Sequence, residues 1–567
     1  MNNAWVESSL RKMTIEEKVG QLLMVGLNNL NEETASEIIE TIVKYNLGGI
    51  FHFSHKQSFI SQFIEDTQKR VNIPVFVAGD YECGPGWVVD EGIRIPRAMC
   101  RGYLKNTEEE YELGKLIATQ GRAMGVTLTF SPVVDLNTNH NNPDINIRAY
   151  GEDSETVSEL SVPYIKGIQD NGMLACIKHF PGNGGTDMDP HISTAVIPFS
   201  REQMEKDCLA PYRKCFKDTE IAAVMLGHLE VPSMVTEVNP KNGRTVPTSL
   251  SYEIVTDLLR KEMGFKGLVI TDALNMGGVL THYTREEIAV KALLAGVDML
   301  LIFNPEDFYL EYNAILEAVR SGVIEIEIID KCVRNVLNAK TKVGLDIDNG
   351  MPALEEIREK LFIPGQYDDL FIRIIEKGIT VLRNKDNILP VKNISGCKVA
   401  VISTYNPDEE TYASQDQASL FLKDKTPEYL SKAGADVQSY HISNQMNCDE
   451  IYDVIISAGK CDYIFYNFFI SPSWGIGSLI PNKSALRLFM FGLLSVGKPV
   501  IVTAFGSPYP IYYCPNAPVY MCTFDETLNA QKAAVKAWLG EINIIGRSPV
   551  SLDMIFSYGD GIDILNY

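Results

Sequence analysis

The sequence predicts an α/β protein, with an N-terminal (β/α)8 TIM-like barrel followed by a smaller doubly wound α/β sandwich domain. Its length of 567 residues exceeds what one hydrophobic core usually fills, which indicates two domains. Short apolar runs recur along the chain with helical patterns between them, the alternation that parallel strands and crossover helices produce. We expect the barrel at residues 1–345, a helical linker at 346–390 and the sandwich at 391–567.

Eight apolar runs supply the strands of the predicted barrel. Eight strand-then-helix units within this length match the count and size of a (β/α)8 fold, whose catalytic groups stand at the carboxyl ends of the strands. The runs are 22–26, 49–53, 74–80, 127–135, 174–180, 222–228, 267–272 and 297–303. Polar residues stand at or beside the carboxyl ends of most runs, namely Asp80, Asp135, Lys178, His179, His228, Asp272 and Asn304.

A second series of apolar runs follows a polar helical stretch at 351–377. Its alternation with helical patterns at 485–494 and 528–539 predicts the doubly wound domain. Glycine-containing loops at 474–477 and 506–508 could border a ligand, but loops contain glycine regardless, so we expect a structural or substrate-shaping role for this domain. The strand-like runs are 398–403, 436–441, 463–470, 499–505 and 519–524.

Charge and apolar patterning argue against several classes of protein. A formal net charge of −22 disfavours a nucleic-acid partner, because binding phosphates needs clustered Lys and Arg. The N-terminus has no signal-peptide pattern, and no run approaches the roughly 18 apolar residues of a membrane span. Eleven cysteines without CxxC spacing fit a reducing compartment. We expect a cytoplasmic chain without membrane or nucleic-acid partners, metal or cofactor.

Asp272 is the first candidate for chemistry. It ends the buried run 267–272, so its carboxylate would project into the mouth of the barrel and could attack an anomeric carbon. An aspartate at a strand-to-helix turn can equally cap the helix that follows. The position alone leaves both roles open.

The loop after the fifth run is the second candidate. Lys178 and His179 lead into residues 181–191, whose glycines suit a loop that folds over a ligand. Asp189 and His191 stand two residues apart, so the carboxylate could fix the tautomer of the imidazole and prepare it for proton transfer. A polar loop without a catalytic role would use the same residue types, and that interpretation stays open at this point.

Five motifs, in this order, resemble those of glycoside hydrolase family 3, and together they extend over the first domain. The resemblance implies that Asp272 is the catalytic nucleophile and that Asp80, Arg148, Lys178 and His179 bind hydroxyls of the terminal sugar. We expect His228, on the same rim, to contact the sugar as well. The motifs are TIEEKVGQLL at 14–23, SPVVD at 131–135, KHFPG at 178–182, GFKGLVITD at 264–272 and AGVD at 295–298.

Members of that family that act on different sugars use different residues as the general acid/base. β-Glucosidase-like members tend to place Trp after the nucleophile and use a Glu from the second domain, whereas β-N-acetylglucosaminidases use an Asp-x-His dyad in the loop after Lys-His-Phe-Pro-Gly. Here Ala273 follows Asp272, and Asp189-Pro190-His191 stands in the dyad position. The resemblance therefore implies a two-domain β-N-acetylglucosaminidase, or β-hexosaminidase, in which His191 and Asp189 form the acid/base dyad.

Such an enzyme would remove terminal non-reducing N-acetylglucosamine through a covalent glycosyl-enzyme, with retention of configuration. Its carbohydrate substrates would be N-acetylglucosaminides, such as muropeptides from peptidoglycan recycling or chito-oligosaccharides. The dyad loop departs from the family's frequent form at Asn183, Gly185 and Pro190, and the stretch 81–86 lacks an Arg that many muropeptide-cleaving members have. The substrate beyond the terminal sugar therefore stays open.

Three alternatives stay open as well. A histidine repels anions less than a carboxylate would, so phosphate could replace water as the acceptor and make the protein a phosphorylase. A β-glucosidase or β-xylosidase would take its acid from the second domain, where Glu526 is the nearest candidate. A non-catalytic sugar-binding protein is disfavoured, because the nucleophile Asp272 is present.

Overall fold

A computed structural model describes residues 3–53, 55–304, 308–405, 423–472, 475, 479 and 481–566. Contacts divide the chain into two compact units, which we call the barrel unit and the sheet unit. The barrel unit comprises Met1–Arg94, Asn106–Leu136 and Val157–Pro364, and the sheet unit comprises Ile95–Lys105, Asn137–Thr156 and Gly365–Tyr567. The predicted boundaries did not anticipate that 95–105 and 137–156 group with the sheet unit.

The barrel unit contains the predicted closed barrel of eight parallel strands, in the order β1-β10-β9-β7-β5-β4-β3-β2. Its strands are buried along their length up to the end of β9, because the helices cover the outside and side chains fill the inside, which explains why the runs are almost continuously apolar. The short strands β6 and β8 form a separate parallel pair. The bounds are β1 Leu23–Gly26, β2 Gly49–Phe51, β3 Phe76–Gly79, β4 Leu128–Thr129, β5 Leu174–Phe180, β6 Ala195–Val196, β7 Ala223–Leu226, β8 Leu229–Glu230, β9 Leu268–Ala273 and β10 Met299–Ile302.

Helices connect these strands. The helix that begins at Arg201 passes through a π-helical turn at Glu205–Leu209, and Glu253–Glu262 is also π-helical. The α-helices are Asn3–Lys12, Ile15–Gln21, Ala35–Tyr45, Gln57–Arg70, Ala98–Gly102, Thr107–Met124, Ser154–Asp170, Arg201–Met204, Ala210–Asp218, Gly277–Leu280, Arg285–Ala295, Phe308–Arg320, Ile326–Lys342 and Glu355–Leu361. Short 3-10 turns cover Pro85–Trp87, Asn146–Arg148 and Thr248–Leu250.

The first motif of the sequence, 14–23, has a structural explanation. Thr14 begins the helix Ile15–Gln21 with a capping box, in which its hydroxyl accepts the Glu17 N–H at 3.2 Å and the Glu17 carboxylate accepts the Thr14 N–H at 2.8 Å. Gly20 then meets the end of the helix Ala35–Tyr45 so closely that a Cβ at this position would lie 1.8 Å from the Tyr45 carbonyl oxygen. Only glycine fits this helix contact.

The sheet unit is built on one six-stranded sheet in the order β11-β16-β15-β14-β12-β13, in which only β11 runs antiparallel to its neighbour β16. The bounds are β11 Thr380–Asn384, β12 Lys398–Tyr405, β13 Asp436–His441, β14 Tyr463–Ile470, β15 Val500–Gly506 and β16 Val519–Cys522. The α-helices are Asp368–Gly378, Thr426–Lys432, Cys448–Ala458, Lys483–Met490 and Leu528–Leu539, and 3-10 turns cover Lys385–Asn387, Leu493–Ser495 and Tyr509–Tyr513.

Strand β11 corrects the predicted helical linker at 346–390, which is helical only in part. The reason is that Thr380 and Val381 are buried and pair with β16 at one edge of the sheet. In the glycine-containing loop at 474–477, residues 474, 476 and 477 lie outside the described residues.

Among the described residues, no helix combines the length and the apolar composition that crossing a membrane would need.

We predict that Gly20→Ala destabilises the barrel unit by about 1–3 kcal/mol, because the new methyl group must push the helix Ala35–Tyr45 away. The measurement is the urea midpoint of unfolding, followed by circular dichroism. Gly459→Ala is the matched control, since a Cβ there would meet its nearest neighbour at 3.3 Å. An unchanged midpoint for Gly20→Ala would contradict the close helix contact.

Candidate active site

Asp272 lies in β9 at the point where the strand leaves the buried interior, and its side chain is half-buried. Its Oδ1 accepts the N–H of Ala273 at 2.8 Å. The helix Gly277–Leu280 follows, and its N-cap position is Met276. The carboxylate therefore stands at the carboxyl end of a barrel strand without capping that helix, the place from which barrel enzymes act.

The surroundings of Asp272 keep its carboxylate ionised. Burial alone would raise the pKa of Asp272, but the imidazoles of His179, His228 and His191 and the N–H of Ala273 lower it by more, so the pKa lies below its usual value. An ionised carboxylate is the form in which an aspartate can act as a nucleophile.

Asp189 and His191 form the predicted dyad. Asp189 Oδ1 lies 2.7 Å from His191 Nδ1 and also accepts the His191 backbone N–H at 2.8 Å. Asp189 is buried, whereas 29% of the His191 side chain is exposed. Because a carboxylate only accepts hydrogen bonds, the imidazole carries a proton on the Nδ1 that faces Asp189.

Lys178 joins two carboxylates near the end of β5. Its Nζ lies 2.9 Å from Asp80 Oδ1 and 2.6 Å from Glu82 Oε1. Lys178 is nearly buried, while Asp80 exposes a third of its side chain. Charged donors and acceptors held in this way can hydrogen-bond sugar hydroxyls. The sequence interpretation gave Glu82 no role, because it lies in the turn beyond the end of β3 and only the fold brings it to Lys178.

His179 is oriented by the buried carboxylate of Asp135. Asp135 Oδ2 lies 2.7 Å from His179 Nδ1 and accepts the His179 backbone N–H at 3.0 Å, while Oδ1 accepts the Asn183 N–H at 2.7 Å. The next turn is equally tight, because a Cβ on Gly184 would lie 1.5 Å from the Leu136 carbonyl oxygen. Asp135 therefore orients His179 and fixes the start of the dyad loop.

His228 is completely buried, and both of its ring nitrogens are engaged. Nδ1 lies 2.8 Å from Ser249 Oγ, and Nε2 lies 3.1 Å from the Ala273 carbonyl oxygen. Burial lowers the pKa of His228. The neutral ring therefore donates from Nε2 to the residue beside Asp272. This geometry favours a bracing role for His228 over the sugar contact that the sequence predicts.

Arg148 belongs to the sheet unit, in the segment Asn137–Thr156. Its Nη1 donates to Asp144 Oδ1 at 2.5 Å and to the Asp144 carbonyl oxygen at 3.0 Å. The other predicted site residues belong to the barrel unit. Local sequence contains no signal for this division, because Arg148 follows the SPVVD motif of the barrel unit by only 13 residues.

Glu526, the acid considered for a β-glucosidase, is occupied by an ion pair within the sheet unit. Arg97 Nε donates to Glu526 Oε1 at 3.0 Å and to Oε2 at 3.3 Å, and Nη2 contacts Oε1 as well. The neighbouring carboxylate of Asp525 is buried and accepts the Arg97 backbone N–H at 2.8 Å. Both carboxylate oxygens of Glu526 are therefore engaged by Arg97.

Comparisons with known proteins agree on one family. The family model described as "Glycosyl hydrolase family 3 N terminal domain" matches residues 14–339, more than half of the chain. A "Beta-N-acetylglucosaminidase/beta-glucosidase" of Cellulomonas fimi is 23% identical over 559 residues, which cover 96% of this chain and 95% of that protein.

Two solved structures are similar over nearly the whole chain. A family 3 β-N-acetylglucosaminidase from Paenibacillus sp. str. FPU-7 is 26% identical with a TM-score of 0.78, and the match covers 95% of this chain and 99% of that one. The beta-glucoside phosphorylase BglX is 23% identical with a TM-score of 0.84, over 97% of this chain and 96% of that one. The second likeness shows a shared fold.

We predict that His228→Ala lowers kcat on an aryl β-glycoside by about 10- to 100-fold, because a nucleophile that moves by about 1 Å reacts that much more slowly. We expect KM to change by less than about threefold, since both ring nitrogens of His228 are engaged by Ser249 and the Ala273 carbonyl oxygen. Lys178→Ala is the comparison variant, in which we expect KM to rise. A raised KM with normal kcat in His228→Ala would instead support the sugar contact.

Proposed function

Since this chain belongs to glycoside hydrolase family 3 and is therefore a glycosidase of β-glycosides, we propose that it is a retaining, exo-acting β-N-acetylglucosaminidase. It would release terminal non-reducing N-acetylglucosamine through a covalent glycosyl-enzyme. The observation that carries the proposal is the hydrogen-bonded pair of Asp189 and His191 on the loop that contacts the turn after Asp272.

In the first step, Asp272 attacks the anomeric carbon while the bond to the leaving oxygen breaks. His191 donates the proton on Nε2 to that oxygen, and its Nδ1–H stays hydrogen-bonded to the Asp189 carboxylate. The products of this step are the free aglycone and a glycosyl ester of Asp272. Asp189 stabilises the imidazolium before the proton leaves, because it is a buried acceptor at 2.7 Å.

In the second step, the neutral His191 accepts a proton from water at Nε2 as the water oxygen attacks the anomeric carbon. The ester bond to Asp272 breaks, and the sugar is released with the β configuration that it had in the substrate. Two inversions at one carbon give this retention. The low pKa of Asp272 suits both its attack and its departure as a carboxylate.

The sugar itself would be held by groups on the rim. We assign hydroxyl contacts to Asp80, Lys178 and the Nε2 of His179, whose Nδ1 is held by Asp135. The family resemblance assigns a hydroxyl contact to Arg148 as well. The printed names of the Cellulomonas fimi and Paenibacillus proteins support an N-acetylglucosaminide as the substrate. Muropeptides from peptidoglycan recycling and chito-oligosaccharides both present such a terminal ring.

Two observations on this chain favour the dyad over a carboxylic acid from the sheet unit. Ala273 follows the nucleophile, where β-glucosidase-like members tend to have Trp. Glu526 is engaged by Arg97, whereas His191 keeps part of its ring exposed. These contacts support N-acetylglucosaminidase activity over the β-glucosidase or β-xylosidase alternative.

We predict that His191→Ala lowers kcat by about 10²- to 10⁴-fold, the usual contribution of a general acid/base. Azide, which needs no general base, should restore turnover and yield a glycosyl azide. His441→Ala is the matched control, because His441 lies at the edge strand β13 of the sheet unit. Normal activity of His191→Ala would refute the assignment of the dyad.

We predict that kcat/KM is highest for the 4-nitrophenyl N-acetyl-β-glucosaminide among matched N-acetylglucosaminide, glucoside and xyloside substrates. A preference for the glucoside or xyloside would overturn the proposal. The phosphorylase alternative is favoured by one feature, the use of His191 in place of an anionic acid/base. The same assays with and without phosphate therefore separate the two: hydrolysis yields free sugar at an unchanged rate, and phosphorolysis yields the sugar 1-phosphate.

A further inference from the structure

The loop that carries Asp189 and His191 is attached to the turn that follows the nucleophile. Gly277 N–H donates to the His191 carbonyl oxygen at 3.0 Å, and Gly278 N–H donates to the Pro190 carbonyl oxygen at 2.9 Å. Gly277 stands five residues after Asp272 on the same segment. The backbone of the acid/base is thereby bonded to the backbone that carries the nucleophile.

Both glycines are needed for this close approach. A Cβ on Gly277 would lie 2.2 Å from the Ile192 carbonyl oxygen and 2.7 Å from the Ser193 nitrogen, so it would collide with the dyad loop. A Cβ on Gly278 would lie 2.6 Å from the His228 carbonyl oxygen. Substitution of Gly277 therefore acts on the dyad loop, whereas substitution of Gly278 would also disturb His228.

A second attachment holds the far end of the loop, three residues after His191. The hydroxyl of Thr194 lies 2.7 Å from the Thr281 hydroxyl and 3.1 Å from His282 Nε2. These three residues form a cluster that we call the latch. His282 Nε2 also lies 3.1 Å from Glu230 Oε1. His282 and Thr194 are nearly buried, whereas Thr281 lies at the exposed end of the latch.

The latch is supported by fixed groups on its other sides. Glu230 pairs with Arg244 at 2.8 Å, and the His282 carbonyl oxygen accepts from Asn239 Nδ2 at 2.8 Å. Burial lowers the pKa of His282 to about 4, so its ring is neutral at ordinary pH. Directly after Thr194, β6 pairs with β8, and β8 begins one residue after His228.

We propose that Gly277 and Thr194 are positioning residues that hold the His191 imidazole in register with Asp272 without touching the sugar. The inference rests on the proposed function, because it assumes that His191 moves the proton. Asp135 holds the start of the loop at Asn183, eight residues before His191, so His191 needs further attachment to keep one position. The backbone hydrogen bonds at Pro190 and His191, together with the latch at Thr194, provide that further attachment.

Loss of an attachment should impair only the steps that need the proton. A leaving group such as 2,4-dinitrophenolate departs without a general acid, whereas phenolate needs one. Since kcat/KM reports the steps up to the glycosyl-enzyme, it separates acid catalysis from the later attack of water. A variant that merely unfolds in part would lose activity on both substrates alike.

The test compares Gly277→Ala and Thr194→Val, using phenyl and 2,4-dinitrophenyl glycosides of the sugar that the enzyme prefers. We predict that kcat/KM falls about 10- to 100-fold on the phenyl glycoside and less than about threefold on the dinitrophenyl glycoside. Azide should restore kcat on the dinitrophenyl glycoside. Thr194→Ser, which keeps the hydroxyl, should retain most of the activity, so it controls for the side-chain change itself.

Gly459→Ala and Thr119→Val are matched controls away from the loop; the Thr119 hydroxyl donates only within its own helix, to the Lys115 carbonyl oxygen. Placed in the His191→Ala background, neither Gly277→Ala nor Thr194→Val should lower activity further. Equal losses on both leaving groups, or additive losses in the double variants, would overturn the proposal. If His191→Ala itself shows no dependence on the leaving group, the proposed function fails instead.

Discussion

The site depends on the closure of eight parallel strands, which brings the carboxyl ends of β3, β5, β7 and β9 to one rim. The polar groups on these strands are far apart in the chain, yet each is placed by hydrogen bonds of a buried ladder. All strands of a parallel barrel run in the same direction, so all of their carboxyl ends lie at the same face. For that reason Asp272 in β9 and Lys178 in β5 both lie towards the same rim, and hydrogen bonds with the loops hold the side chains there.

Two buried carboxylates hold the site histidines in position through hydrogen bonds. Asp135 accepts three hydrogen bonds from the Lys178-His179 end and the loop beyond it, and Asp189 accepts two from His191. In each case a carboxylate oxygen lies 2.7 Å from Nδ1 of a histidine, which fixes the orientation of the ring. The same arrangement therefore orients both His179, at the end of β5, and His191, on the loop that follows.

The motifs that identify the family divide between fold and chemistry. Gly20 in the first motif and Asp298 in the last act on the fold: Asp298 accepts from the Val269 N–H at 2.8 Å and from Asn335 at the same distance. Asp135, Lys178, His179 and Asp272 lie in the other three and gather at the rim. A family signature thus records both the closure of the barrel and the site that closure creates.

The sequence by itself determined the barrel, the second domain, the position of Asp272 at a strand end and the pairing of Asp189 with His191, because strand periodicity and a spacing of two residues are local properties. Only the tertiary structure decided that Glu82 shares Lys178, that His228 is buried against Ala273, that Thr380–Asn384 forms an edge strand and that Arg97 engages Glu526. Each of these depends on groups brought together from distant positions, and spacing along a chain contains no record of such contacts.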